Sequence, residues 1–204
     1  MTKIKICGIT NYEDAKNAVD FGADYLGFNL YNKSPRFIDY NKVNEIVRKL
    51  NGKVSIVGVF VNEQIDNVIK ADGICNLDLI QLSGDEDIEY IKKIKNLTNK
   101  KIIKTFRIKN KLNLDLINSF DSDYVMLDSF KDGFYGGTGK SFDLNMIKGI
   151  DNKKLFLAGG LNQNNVNESI RKINPFAVDA CSGIESKPGK KNIIKMKQFI
   201  EAVK

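Results

Sequence analysis

Eight short runs rich in β-branched, aromatic and other apolar residues recur along the chain at intervals of about 20 to 30 residues, and helix-like segments follow them. The runs span residues 4–7, 25–30, 54–60, 77–82, 101–106, 124–127, 154–158 and 176–180. Strands alternating with helices, with no break in composition, predict a parallel sheet in one domain. Eight such units predict closure into a single-domain α/β (β/α)8 TIM barrel covering residues 1–204. The alternative is an open doubly wound sheet. That fold usually carries a G-x-G-x-x-G turn after its first strand, and this chain has Cys7-Gly8-Ile9-Thr10 there.

The helices announce themselves by capping signals and apolar spacing. Thr10 with Glu13 reads as a capping box, Ala15, Ala18 and Val19 line one face, and Gly22 marks the stop. Val43, Ile46, Val47 and Leu50 follow the i, i+3, i+4, i+7 pattern. Asn62 reads as the cap of a helix carrying Ile65, Val68 and Ile69. Ser83 with Glu86 reads as a second capping box ahead of Ile88, Ile91 and Ile94. Val166 and Ile170 precede a stop at Pro175, and Ile193, Met196 and Ile200 form the last apolar face. Residues 109–120 have a weaker pattern, which predicts a short or irregular helix.

The 204 residues contain no histidine. That removes the commonest general acid–base and the commonest metal ligand, so proton transfer falls to carboxylates, thiols, lysines or tyrosines. The three cysteines, at positions 7, 75 and 181, lack metal-ligand spacing and read as free thiols in a reducing cytoplasm. No metal or cofactor is expected. No run approaches the roughly 20 apolar residues of a membrane span, and the amino terminus lacks the apolar core of a signal peptide. The net charge of +7 comes from lysines scattered through the chain. Nucleic acid would call for clustered cations with interleaved aromatics, so the expected partner is a small anionic molecule.

Barrel active sites gather at the carboxyl ends of the strands. Cys7 ends the first run, Arg36 follows the second, Gln81 ends the fourth and Asp128 the sixth. Gly159 and Gly160 follow the seventh, and Asp179, Ser182 and Gly183 lie at the end of the eighth. Glycines in the last two loops let the backbone approach a phosphate closely. Taken singly these residues decide little. A cysteine at a strand end is more often a small buried residue than a catalyst, and the glycines are equally read as loop breakers.

The motifs together carry a resemblance. KICGIT at 5–10, SPR at 34–36, VGVFVN at 57–62, QLSGDE at 81–86, MLDS at 126–129, GGTGKSFD at 136–143, LAGGLN at 157–162 and VDACSGIESKPGKK at 178–191 resemble, in order and spacing, the phosphoribosylanthranilate isomerase family of tryptophan biosynthesis. The resemblance implies an Amadori rearrangement of a phosphorylated aminosugar without cofactor, by a monomer or homodimer. It implies Cys7 as general base, Asp128 as general acid and Arg36 as holder of the anthranilate carboxylate. It further implies a phosphate site at Gly159, Gly160, Ser182 and Gly183, and a lid containing Gly136 to Gly139. Gln81 and Asp179 are expected to contact substrate. Ser83 stands where the family usually has histidine, Leu144 where an aromatic residue is frequent, and Cys181 where serine is common. The histidine-pathway sugar isomerases, the nearest rival, use a carboxylate where this chain has Cys7.

The chemistry makes an electrostatic demand. Reference pKa values near 8.5 for cysteine and 3.9 for aspartate put the proton on the wrong partner at neutral pH. A productive pair needs burial and substrate charge to raise Asp128, and a helix N-terminus or a cation such as Lys5 to lower Cys7.

Overall fold

The computed structural model describes residues 1–108, 112–129 and 149–204. The region of the expected lid and Leu144 lies outside the described residues. Eight parallel strands close a barrel in the order β1 to β8, with β8 hydrogen-bonded back to β1. They are β1 (Lys3–Cys7), β2 (Tyr25–Asn29), β3 (Ser55–Phe60), β4 (Leu79–Leu82), β5 (Lys101–Ile108), β6 (Tyr124–Ser129), β7 (Leu155–Leu157) and β8 (Ala177–Ala180). The described helices are α1 (Tyr12–Phe21), α2 (Tyr40–Leu50), α3 (Ile65–Cys75), α4 (Ile88–Leu97), α5 (Leu114–Ser119), α6 (Val166–Ile173) and α7 (Ile193–Val203). The weak pattern at 109–120 thus yields one short helix. A small antiparallel hairpin, β9 (Glu185–Lys187) with β10 (Lys190–Lys191), was not expected from the sequence. Its Pro188-Gly189 tip is a turn signal in its own right.

Strand residues alternate between two cores. Outward residues such as Ile4, Leu26, Ile80 and Leu127 pack against the helices. Inward residues Val57, Leu79, Ile103, Met126, Phe156 and Ala177 form a plug inside the barrel, with Tyr25, Tyr124 and Phe176 packed on it. The rings of Tyr124 and Phe156 meet edge to face at 5.3 Å. Full burial of a side chain such as Phe156 stabilises by about 1.5–3 kcal/mol. Most of the inward positions nearer the carboxyl ends are polar or reactive, namely Cys7, Gln81, Thr105, Asp128 and Asp179, with Val59 among them.

The opposite, amino-terminal rim is held by a repeated device. Asp24, Asp78 and Asp123 each immediately precede an even-numbered strand. Each carboxylate accepts the N–H of the second residue of the strand before it: Ile4 at 2.9 Å, Ile56 at 2.7 Å and Ile102 at 2.9 Å. An open cleft of about 960 Å³ also lies on this rim, between the ends of α2 and α3. It brings together no acid–base pair of the expected kind.

Three capping expectations need correction. Helix α1 is capped by Asn11, whose side chain accepts from the Asp14 N–H at 2.9 Å. Thr10 instead donates to the Gly189 carbonyl, and Glu13 pairs with Lys190. Helix α3 follows Gln64, and Asn62 takes a left-handed φ of 50° with its amide oxygen accepting from the Asp85 N–H. Helix α4 is capped by Asp87, which accepts from the Tyr90 N–H at 2.8 Å. The supposed box partner Glu86 is buried, accepts from the Asn62 and Gly84 N–H groups, and pairs with buried Lys104 at 2.6 Å. In each case a tertiary contact outcompetes the local capping pattern. In α7 the buried face is Met196, Phe199 and Ile200, with Ile193 half exposed.

Candidate active site

At the carboxyl-terminal mouth a cavity of about 500 Å³ is lined by Cys7, Arg36, Gln81, Asp128, Asp179 and Cys181, among others. A small adjoining cavity of about 30 Å³ is lined by Asp128, Gly159, Gly160, Asp179, Ser182 and Gly183. Every expected site residue therefore lines one of two contiguous spaces, and Asp128 and Asp179 line both.

Cys7 ends β1 on its inward face, next to Lys5 two residues earlier. Gly27 is its partner on β2. A Cβ on Gly27 would lie 2.7 Å from the Cys7 sulfur and 3.0 Å from the Lys5 nitrogen, so a missing side chain makes room for both. Lys5 is fully buried and its Nζ donates to Asp179 Oδ1 at 2.7 Å, joining first strand to last. Burial works against the ammonium charge, but Asp179 and the Cys7 sulfur outweigh it and hold Lys5 above the usual lysine range. On Cys7 the strongest influence is a hydrogen bond from the Cys181 thiol, which favours the thiolate. Burial opposes it, the Lys5 cation assists it, and the Asp179 charge opposes it. The net result lowers Cys7 to about 7. Cys181 moves the other way: donating to Cys7, and buried, it holds its own proton well above the usual thiol range. Lys5 thus meets the expectation of a cation beside Cys7. No helix N-terminus is needed, because α1 begins only at Tyr12. The influence of Cys181 was missed, although its place two residues after Asp179 puts it beside Cys7.

Arg36 is set by the turn that leaves β2. Ser34 Oγ accepts from the Asn29 amide at 3.0 Å and from the Arg36 N–H at 3.1 Å. The guanidinium is held by Glu185: Nε donates at 3.0 and 3.1 Å, and Nη2 at 2.8 Å. Burial works against the guanidinium charge, and Glu185 and the neighbouring sulfurs raise its pKa. Glu185 also accepts from buried Lys191 at 3.0 Å. Burial pushes the Glu185 carboxyl up, but Arg36 and Lys191 outweigh it and hold it below its usual value. Lys191 also donates to the Cys181 carbonyl at 3.2 Å. The unforeseen hairpin supplies Glu185 and Lys191, and the Asp14 carboxylate pins it through the Lys191 N–H at 2.8 Å.

Gln81 ends its amide among hydroxyls. Its Nε2 lies 3.0 Å from Ser83 Oγ, and Ser83 in turn lies 3.1 Å from Thr105 Oγ1. The Gln81 carbonyl oxygen is buried and has no protein partner. In the small cavity Gly159 and Gly160 take φ of 88° and 69°, a left-handed backbone that favours glycine. A Cβ on Gly183 would fall 2.2 Å from the Leu161 carbonyl, so only glycine lets the β7 and β8 loops meet there. Ser182 opens a short 3₁₀ turn, Ser182–Ile184, and the first N–H groups of such a turn have no partner within it.

Comparison with known proteins gives one answer. A family model described as N-(5'-phosphoribosyl)anthranilate (PRA) isomerase matches residues 4–202. An N-(5'-phosphoribosyl)anthranilate isomerase from Thermoanaerobacter sp. (strain X514) is 42% identical, covering 100% of this chain and 98% of the relative. A solved structure of the monomers of a dimeric phosphoribosylanthranilate isomerase from Thermotoga maritima superposes with a TM-score of 0.87 at 36% identity, covering 99% of this chain and 98% of the other. Another, of a phosphoribosylanthranilate isomerase in complex with reduced 1-(o-carboxyphenylamino)-1-deoxyribulose 5-phosphate, has a TM-score of 0.83 at 35% identity, covering 98% of this chain and 97% of the other. With the closed barrel, the strand-end residues and these full-length matches in agreement, the chain belongs to the N-(5'-phosphoribosyl)anthranilate isomerase family.

Proposed function

We propose that this enzyme converts N-(5-phosphoribosyl)anthranilate to 1-(2-carboxyphenylamino)-1-deoxyribulose 5-phosphate in tryptophan biosynthesis, with Asp128 as general acid and Cys7 as general base. Protonated Asp128 donates to the furanose ring oxygen, and the ring opens to an iminium ion. The positive nitrogen acidifies the C2′ proton. The Cys7 thiolate removes that proton to give an enolamine, which tautomerises to the ketone. The iminium is the electron sink for that proton abstraction.

The observation that carries this reading is the environment of Cys7: an inward thiol beside a buried ammonium and a donating thiol, with its pKa lowered to about 7. A base poised near the operating pH gives the best compromise between availability and basicity. Arg36, its Nε edge fixed by Glu185, keeps donors for the anthranilate carboxylate, which the planar guanidinium suits. The backbone at Gly159, Gly160, Ser182 and Gly183 takes the phosphate. Gln81 offers its unpartnered carbonyl oxygen to a substrate donor, and Asp179 contacts the sugar from the shared wall of the two cavities. The whole chain acts as one catalytic domain, in the cytoplasm, as a monomer or homodimer. No described helix is long and apolar enough to cross a membrane, and the relative from Thermotoga maritima is dimeric.

The test is the loss of fluorescence as freshly made phosphoribosylanthranilate is consumed. Wild type converts it. Cys7→Ala and Asp128→Ala each fall by at least ~10²-fold, the lower end of what a positioned acid or base contributes. Full activity in either variant would sink the assignment.

A further inference from the structure

Lys3 and Lys5 on β1 stand in register with Ala177 and Asp179 on β8. The last registered pair is Ile6 with Ala180, and Cys7 and Cys181 each come one residue later, Cys181 just past the end of β8. Parallel neighbours at that last pair lie about 4.8 Å apart, and a disulfide spans a Cα separation of roughly 4.4–6.8 Å. Both residues border one cavity. A Cβ built on Gly8 would fall 2.9 Å from the Cys181 sulfur, and one on Gly27 would fall 2.7 Å from the Cys7 sulfur. Both residues line the 500 Å³ cavity, so a small solute reaches them from solvent.

We infer that Cys7 and Cys181 form a redox-active dithiol, a modification site at which a peroxide-class oxidant closes a reversible disulfide across the β1–β8 seam. The Cys7 thiolate attacks one peroxide oxygen. The S–O bond forms, the O–O bond breaks, and hydroxide leaves, giving a sulfenic acid on Cys7. The Cys181 sulfur then attacks the Cys7 sulfur. The S–S bond forms, the S–O bond breaks, and the hydroxyl leaves as water with the Cys181 proton. Two sulfurs are each oxidised by one electron, and the peroxide takes up both electrons. The roles follow from position: Cys7 is the nucleophile because it shares the space opened at Gly27 with the buried Lys5 ammonium, and Cys181 acts as the resolving thiol.

The third cysteine is an internal contrast. Cys75 closes α3, is buried in the apolar core and donates to the Tyr40 carbonyl at 3.5 Å. Burial pushes its pKa up to about 12, so it stays an inert thiol.

The experiment treats the full chain with hydrogen peroxide, blocks remaining thiols with an alkylating agent, and maps peptides by mass. The expected product is a peptide pair joined through residues 7 and 181 with Cys75 alkylated, and dithiothreitol restores both free thiols. In Cys181→Ser the resolving thiol is gone, and Cys7 proceeds to sulfinic acid that dithiothreitol does not reverse. Sulfinic acid on Cys7 with free Cys181 in the wild type would overturn the proposal, as would a disulfide between two chains or no oxidation at either residue. Activity is followed in parallel and should be lost and regained with the bond. A mapped bond with activity retained would leave the dithiol standing and refute Cys7 as the base.

Discussion

The two ends of the barrel use the same side chain for different ends. At the amino-terminal rim, Asp24, Asp78 and Asp123 each accept a backbone N–H from the neighbouring strand. All three are tied to main chain that every residue type carries, and Asp24 adds only a solvent-exposed pair with Lys3 at 2.7 Å. At the carboxyl-terminal mouth, Asp179 and Glu185 face Lys5, Arg36 and Lys191, side-chain cations that line or support a cavity. A carboxylate bound to backbone locks register. A carboxylate bound to a buried cation sets the charge of whatever else touches that cation, here the sulfur of Cys7. Strand register is set at one rim and electrostatic control at the other: a substitution at the first should leave catalysis alone, and one at the second should not.

The largest effect is expected for Lys5→Met. It leaves Asp179 buried without its counter-charge, a change that costs about 3–5 kcal/mol in comparable pairs, and it removes the cation beside Cys7. The unfolding midpoint in urea should fall sharply. In the surviving folded enzyme the acid limb of kcat/KM should move up in pH. The sign follows from the thiol: the active base is the deprotonated form, so wild-type activity rises with pH through about 7, and any loss of positive charge delays that rise. A wild-type limb near 8.5, the free thiol value, would break the comparison at its centre.

Glu185→Gln comes next. Arg36 loses a charged bidentate partner and Lys191 loses its counter-ion. We expect KM for phosphoribosylanthranilate to rise about tenfold, equivalent to ~1.4 kcal/mol of binding, with kcat changed less. An equal fall in kcat with KM unchanged would show that Glu185 acts on the chemical step instead. The smallest effect is expected for Asp24→Ala, which removes one acceptor from the amino-terminal rim. It should lower stability by about 1 kcal/mol and leave kcat/KM per folded molecule unchanged. A loss of activity without a loss of stability would deny the division between the rims.

Much of the fold was legible because the barrel repeats one signal. Each strand is a short apolar run, and its inward–outward alternation follows from the pleat, so all eight strands lie within two residues of their expected bounds. The caps were less legible. Thr10, Asn62 and Ser83 sit in sound local patterns, yet each is drawn to a partner distant in sequence or to the site itself. For the candidate site, strand-end position found the residues that line the mouth, and the motif resemblance gave them roles. What escaped were groups that act through others. Glu185 and Lys191 lie on a hairpin whose two strands total five residues, too short for periodicity to reveal. Cys181 reads only as standing where serine is common, and its effect depends on a neighbour 174 positions away.

The seam where β8 meets β1 carries a consequence for the order of events during synthesis. Lys5 and Cys7 leave the ribosome 174 positions ahead of Asp179 and Cys181. Until that last strand arrives, Cys7 has neither its buried ammonium clamp nor its thiol donor, and titrates as an ordinary cysteine. A nascent or truncated chain therefore carries the sequence of the proposed base without its reactivity. The charge on Cys7 is itself a report that the ring has closed.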